Sequence, residues 1–178
     1  MVFGGYGGQG YEWLRQLLPG SDYDYQAQAG DLWRNSAVAA CLRVLKVNFP
    51  QPRLEVHRTK GKGRDKVIAK HPLVSLFDRP NGHYDRFALW GSFVLAATVD
   101  GNAYLLKIRS RAGIPVELWW APPWTMRPVW NTDGSSFIDA YEYRVNGRVY
   151  VLPPEDVIHF RQGGIDPRND RLAMSELK

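Results

Sequence analysis

The densest positive run in the sequence is Arg58, Lys60, Lys62, Arg64 and Lys66, with Asp65 alone opposing it. On the tip of a hairpin, such a run would track DNA phosphates without reading bases. The same run, with Gly61 and Gly63 supplying the turn, also describes an ordinary solvated loop. Four tryptophans, Trp119, Trp120, Trp124 and Trp130, form a second constellation. Indoles stack on bases, and they also anchor sheets and subunit interfaces. Few Lys or Arg alternate with these tryptophans, which favours packing over base stacking. Trp119 and Trp120 are adjacent, so in a strand they must point to opposite faces. One can enter the core; the other must then meet solvent or a neighbouring molecule.

Residue patterns for catalysis are missing. His57, His71, His83 and His159 are scattered, without the HxxxH or HExxH spacing that brings metal ligands together. Gly5-Tyr6-Gly7-Gly8-Gln9-Gly10 formally matches a dinucleotide fingerprint, but no strand can precede it, so it reads as a Gly-rich tail. Cys41 falls on the apolar face of an expected helix and reads as a small buried hydrophobe. There is no GxSxG elbow and no GxxxxGK loop, and the acidic residues are dispersed. The expectation is therefore a protein that is not an enzyme, with no cofactor and no metal. A single cysteine excludes an internal disulfide framework and points to a reducing compartment. No apolar run is long enough to cross a bilayer as a helix, so no membrane is expected as a partner. The net charge of +5 suits a partner that carries phosphates.

The elements that must carry these residues are legible in outline. Residues 1–34 are Gly-, Tyr- and Gln-rich and read as a flexible N-terminal arm, with one short amphipathic stretch from Glu12 to Leu18. Asn35-Ser36 suits a helix N-cap, and Val38, Cys41, Leu42, Leu45 and Phe49 recur at helical spacing until Pro50. Arg53 to Arg58 and Lys66 to Ala69 read as a hairpin around the basic loop. A short helix is expected from Pro72 to Asp78 and a longer, nearly all-apolar one from Tyr84 to Val99. Strands are then expected at 103–109, 116–121, 125–130, 138–145, 148–152 and 157–161, with Asn146-Gly147 as a two-residue hairpin turn. Residues 162–178 are polar and carry no convincing element. Helices first and hairpins after make an α+β domain over 35–161, with N-terminal helices packed on an antiparallel sheet. Val38, Leu42, Leu45, Trp90, Val94, Tyr104, Leu118, Tyr141 and Ile158 are the expected core.

Four segments in order resemble the portal proteins of tailed bacteriophages. Asn35-Ser36-Ala37-Val38 with Ala40-Cys41-Leu42-Arg43 resembles their NSAVYACVR helix opening. His71-Pro72-Leu73 through Arg79-Pro80-Asn81 resembles their HPL…PN segment, and Gly101-Asn102-Ala103-Tyr104 their GNAY turn. Leu152-Pro153-Pro154-Glu155-Asp156-Val157-Ile158-His159-Phe160-Arg161 resembles their L…E-[ED]-[VI]-[IL]-H-[FIL]-[RK] strand. In the family, a G-x-SPL segment follows and opens a long helix; here Ala173 stands for the glycine and Glu176 for the proline.

The resemblance implies a structural subunit of a dodecameric head-to-tail connector ring in the virion, at one capsid vertex, assembled in the host cytoplasm. Double-stranded DNA would pass through the ring, and identical subunits, terminase, head–tail adaptor and capsid proteins would be its partners. Residues 35–161 would then correspond to a wing-like region and 162–178 to the start of a truncated stem-side segment. Possible phosphate contacts are Arg58, Lys60, Lys62, Arg64 and Lys66; the tryptophans are the expected subunit interface. The alternative from a different class is a free-standing, basic nucleic-acid-binding β module.

Overall fold

A computed structural model describes residues 35–58, 66–68, 70–131 and 133–175. The expected arm, 1–34, the loop residues Lys60, Lys62 and Arg64, and Glu176 lie outside the described residues. The described chain is α+β, with helices before strands.

Helix α1 spans Ser36–Asn48. Asn35 starts it, its side-chain oxygen accepting from the Ala37 and Val38 amides at 3.1 and 3.3 Å. These two donors would otherwise lack an intrahelical partner. Strands β1 (His57–Arg58) and β2 (Lys66–Val67) form a two-stranded pair shorter than the expected hairpin. Helix α2 (Pro72–Asp78) has proline in its first turn and the His71 ring nitrogen accepting from the Leu73 amide. Helix α3 (Arg86–Asp100) is capped by the Asp85 carboxylate on the Ala88 amide and ends at Gly101, with φ at 88°.

The strands that follow are β3 (Asn102–Arg109), β4 (Pro115–Ala121), β5 (Met126–Val129), β6 (Ala140–Val145), β7 (Arg148–Leu152), β8 (Val157–Arg161), β9 (Gly164–Asp166) and β10 (Asn169–Met174). They make two antiparallel sheets, ordered β4-β3-β8 and β5-β6-β7, and a separate β9–β10 hairpin. The Asn146-Gly147 turn joining β6 and β7 has both residues at positive φ, 50° and 72°, as a type I′ hairpin turn requires.

Strand β3 is buried on both faces at its start, and this fixes the layering. Ala103 and Leu105 pack with Leu89, Phe93, Ala96 and Ala97 of α3 and Leu118 of β4. Tyr104, on the opposite face, packs with Ala121, Met126, Tyr141 and Val157 between the two sheets. Helix α1 lies against α3, where Gly91 leaves room for the Lys46 side chain. Trp90 is the hub of the helical layer, stacked on Phe77 at 5.2 Å and edge-on to Phe93 at 5.3 Å.

Of the expected core, Leu42, Val94, Tyr104, Leu118 and Tyr141 are buried. Val38, Trp90 and Ile158 are half-buried, and Leu45 is 40% exposed. Cys41 is also exposed, not a buried hydrophobe. Leu42 is the buried residue of α1; Val38 is half-buried and Phe49, at the helix end, meets Trp90 at 6.2 Å, while Val44, Leu45 and Val47 stay exposed. The stretch 162–178 also differs from expectation, since β9 and β10 occupy it. Its alternation is hard to see because the inward residues are small or polar: Asp166, Ala173 and, just beyond, Ser175. Asp166 locks the turn by accepting from the Arg168 amide at 2.9 Å and from its guanidinium at 3.0 and 3.1 Å.

Two sheet edges are managed by the chain itself. Along β4, the Leu118 amide donates to the Pro80 carbonyl, the Asn81 side chain donates to the Leu118 carbonyl, and the Trp120 amide donates to the Tyr84 hydroxyl. On the edge strand β5, Pro128 removes a donor.

Candidate functional site

The tightest polar assembly joins α3, β3, β6, β8 and β10 around Asn102, which is 3% exposed. The Asn102 amide nitrogen donates to the Ala173 carbonyl at 2.8 Å and to Asp100 Oδ1 at 2.9 Å. Its oxygen accepts from the Ala173 amide at 2.8 Å. The same oxygen is 3.2 Å from His159 Nε2, so that nitrogen must carry the proton. His159 Nδ1 is then the acceptor for the Tyr141 hydroxyl at 3.2 Å. The chain of donors runs Tyr141 to His159 to Asn102 to Ala173, and it stitches two sheets and a hairpin together.

Tyr104 stacks on the His159 ring, with centroids 4.3 Å apart and planes at 24°. Burial, and secondarily the positive charge of Arg161, pushes the His159 pKa down to about 4. Burial likewise pushes the Tyr104 and Tyr141 phenols up. At neutral pH the imidazole is therefore neutral with both nitrogens engaged. It bridges strands and has no lone pair left for a substrate or a metal.

Gly101 and Gly163 complete the node by close approach. A Cβ on Gly101 would lie 2.7 Å from the Ser175 amide nitrogen, and one on Gly163 would lie 2.5 Å from the Met174 carbonyl oxygen. Ser175 Oγ also donates to the Thr98 carbonyl. Residues 173–175 are thus clamped against the end of α3 and the start of β3.

The other histidines stay apart. His57 meets Glu55 at 3.0 Å, His71 caps α2, and His83 packs on Trp119. Among the described residues, no three His, Cys, Asp or Glu side chains converge to hold a metal. No described helix is long and apolar enough to cross a membrane.

The four tryptophans do not act together. Trp119 lies edge-on to Tyr84 and donates its Nε1 to Glu117 at 2.8 Å. Trp130 is covered by the Arg171 guanidinium, 4.4 Å from its ring, which also lies over Phe137. Trp120 packs partly against the α3 core and meets Trp124 edge-to-face at 6.3 Å. Trp124 itself is 81% exposed, on a single 3-10 turn braced by Pro122 and Pro123. The structure therefore brings Trp120 and Trp124 together and ties Trp119 and Trp130 elsewhere. Of the basic run, Arg58 and Lys66 face each other across β1 and β2, both exposed.

The residues of the node were not singled out as a site in the sequence. Asn102 and His159 sat in the two segments quoted for the resemblance, GNAY and the His-ending strand, but nothing linked them. Tyr141 carried no signal beyond its place in an alternating strand.

A family model described as "Phage portal protein" matches residues 36–173. No curated protein matches the sequence. Among solved structures, the chain is similar to one in the "Neck of empty GTA particle computed with C6 symmetry", with TM-score 0.70 and 20% identity. It is also similar to a chain in the "Virion of native gene transfer agent (GTA) particle", with TM-score 0.64 and 20% identity. A third is in the "Neck of native GTA particle computed with C12 symmetry", with TM-score 0.62 and 19% identity. These matches cover 86%, 84% and 83% of this chain but only 40%, 39% and 38% of the others.

Proposed function

Because the chain belongs to the phage portal protein family, we propose that it supplies the wing-like part of a portal ring subunit at a virion's head–tail junction. The family match over 36–173 is the observation that carries this reading. In it, identical subunits close into a ring, double-stranded DNA passes through the centre, and terminase, head–tail adaptor and capsid proteins dock around it. The chain's own task is to hold shape and present surfaces, so no catalytic turnover is expected of it. A half-buried, neutral His159 with both nitrogens bonded suits a scaffold.

A cyclic ring needs two different surfaces on each subunit, one for each neighbour. Trp124 with Trp120 is the surface assigned to one of these. Trp124 exposes a large apolar ring on a proline-braced turn, so little conformational freedom is lost when it is covered. Sedimentation of the purified chain should show mass rising with concentration and persisting at about 1 M salt, because apolar burial is not screened. Trp124→Ala should weaken this association about tenfold, the loss of an ordinary interface anchor, with the melting temperature unchanged. A strict monomer that binds duplex DNA in a salt-dependent way would overturn the reading in favour of a free-standing nucleic-acid-binding module.

A further inference from the structure

The sequence contains two Asn-Gly pairs, Asn81-Gly82 and Asn146-Gly147, and the fold treats them in opposite ways. The Asn81 amide is held at both ends. Its nitrogen donates to the Leu118 carbonyl at 2.9 Å, and its oxygen accepts from the His83 and Tyr84 amides at 2.8 and 3.2 Å. Asn146 is exposed at the tip of the β6–β7 hairpin, and among the described residues its side chain makes no hydrogen bond. Gly147 lies outside both strands, and its amide donates to no carbonyl among the described residues. Nothing stands within 4 Å of a Cβ built on either Gly82 or Gly147. The side-chain bonds of Asn81 and its half-buried position are therefore what separates the two pairs.

We propose that Asn146 is a self-modification site, where the hairpin tip converts spontaneously to isoaspartate and aspartate while the bonds of Asn81 protect the other pair. The Gly147 amide nitrogen gives its proton to hydroxide and attacks Asn146 Cγ. A carbon–nitrogen bond forms, the Cγ–Nδ2 bond breaks, and ammonia leaves with a proton taken from water; the product is a succinimide. Water then opens the ring at either carbonyl. One opening leaves aspartate, and the other leaves isoaspartate, with the main chain rerouted through Cβ and Cγ. The net change is one water consumed and one ammonia released, with no oxidant and no cofactor. Glycine in the second position leaves the approach uncrowded by a Cβ. The Asn146 side chain can turn onto that nitrogen without losing a bond, whereas Asn81 must first break three. The two products differ in what they do to the hairpin. Aspartate adds a negative charge to a turn flanked by Arg144 and Arg148 and keeps the backbone. Isoaspartate lengthens the main chain by a methylene, which a two-residue turn with both φ positive does not accommodate. The Val145–Arg148 pair, next to the turn, is then the first to loosen.

The test ages the full chain at mildly alkaline pH, natively and in concentrated urea. Each Asn-Gly pair is followed by peptide mapping, and isoaspartate is identified by enzymatic methylation of its carboxylate. In the native chain the Asn146 peptide should gain the mass of the amide-to-acid change about tenfold or more faster than the Asn81 peptide, because hydrogen bonds must break first at Asn81. In urea the two rates should agree within about twofold, since the chemistry is the same once the fold is gone. Amide exchange at Arg148 should quicken about tenfold in the isoaspartate-bearing fraction and stay at its starting rate in freshly purified Asn146→Asp, which carries the charge without the rerouted backbone. Asn146→Gln, whose side chain is one carbon too long for the succinimide ring, should stay intact at this position. An intact Asn146 after native ageing, a native rate at Asn81 that equals or exceeds that at Asn146, or a rate gap that persists in urea would each overturn the proposal. So would unchanged exchange at Arg148 in chains shown to carry isoaspartate.

Discussion

Asn102→Ala should lower the unfolding free energy by about 3–4 kcal/mol, because it strands several buried polar groups at once. The Ala173 amide, the Ala173 carbonyl and the His159 Nε2–H all lose their partner in one substitution. Each orphaned buried group costs about 1–3 kcal/mol, and relaxation of neighbours keeps the total below a simple sum. The midpoint of thermal unfolding should fall by about 10 °C for a domain of this size. Asn102→Asp should not rescue it. Aspartate keeps the acceptor but turns the donor into a second oxygen facing the Ala173 carbonyl and the Asp100 carboxylate. Urea denaturation of the wild type and both variants reads the effect directly. Wild-type-like stability in Asn102→Ala would mean that the node contributes nothing.

The second large effect is a dependence of stability on pH. The folded-state pKa of His159, about 4, lies below the ordinary value of 6.5. For a group with a depressed folded pKa, the unfolded chain takes up the proton first. Stability is therefore full above about pH 6.5 and falls as the pH drops towards 4, because ∂ΔG/∂pH is positive wherever the unfolded state binds more protons. The loss attributable to His159 is about 1.4 kcal/mol at about pH 5.5 and about 2.5 kcal/mol at about pH 4.5. Carboxylates add their own slope in this window, so the comparison that isolates the imidazole is with His159→Gln. Glutamine offers a neutral donor and acceptor and does not titrate. The variant should start less stable at neutral pH, yet lose about 2 kcal/mol less than the wild type between about pH 7 and pH 4.5. Parallel curves for the two proteins would show that His159 is not the titrating group.

Much of the fold was legible because local signals agreed with one another. Asn35, by its side-chain cap, and Pro72 and Gly101, by their backbone, mark helix boundaries locally, and Asn146-Gly147 names its turn type. Strand β3 was readable as a strand, but not as the strand shared by two cores, since that depends on what lies above and below it. Leu45 and Cys41 show the limit of periodicity. A helical stripe says which side chains share a face, not whether a partner covers that face. The β9–β10 hairpin was missed because its register rests on polar pairings, Asp166 with Arg168 and Asn102 with Ala173, which leave no hydrophobic alternation. For the surface, composition identified the tryptophans but could not sort them. Only the neighbours decide that Arg171 occupies Trp130 while Trp124 stays open.

The Asn102–Ala173 contact joins residues 71 positions apart. Bringing the ends of so long a loop together costs about 4 kcal/mol of chain entropy before any bond forms. Such a contact is expected to close late, after α3, β3 and the two sheets have assembled. Its loss should then leave the refolding rate almost untouched and raise the unfolding rate about a hundredfold, the kinetic form of about 3 kcal/mol. The two limbs of a chevron plot for Asn102→Ala separate these cases, and a slowed refolding limb would place the contact in the nucleus instead. The clamp around residues 173–175 is on this account a latch: it governs how long the domain stays folded, not how quickly it gets there.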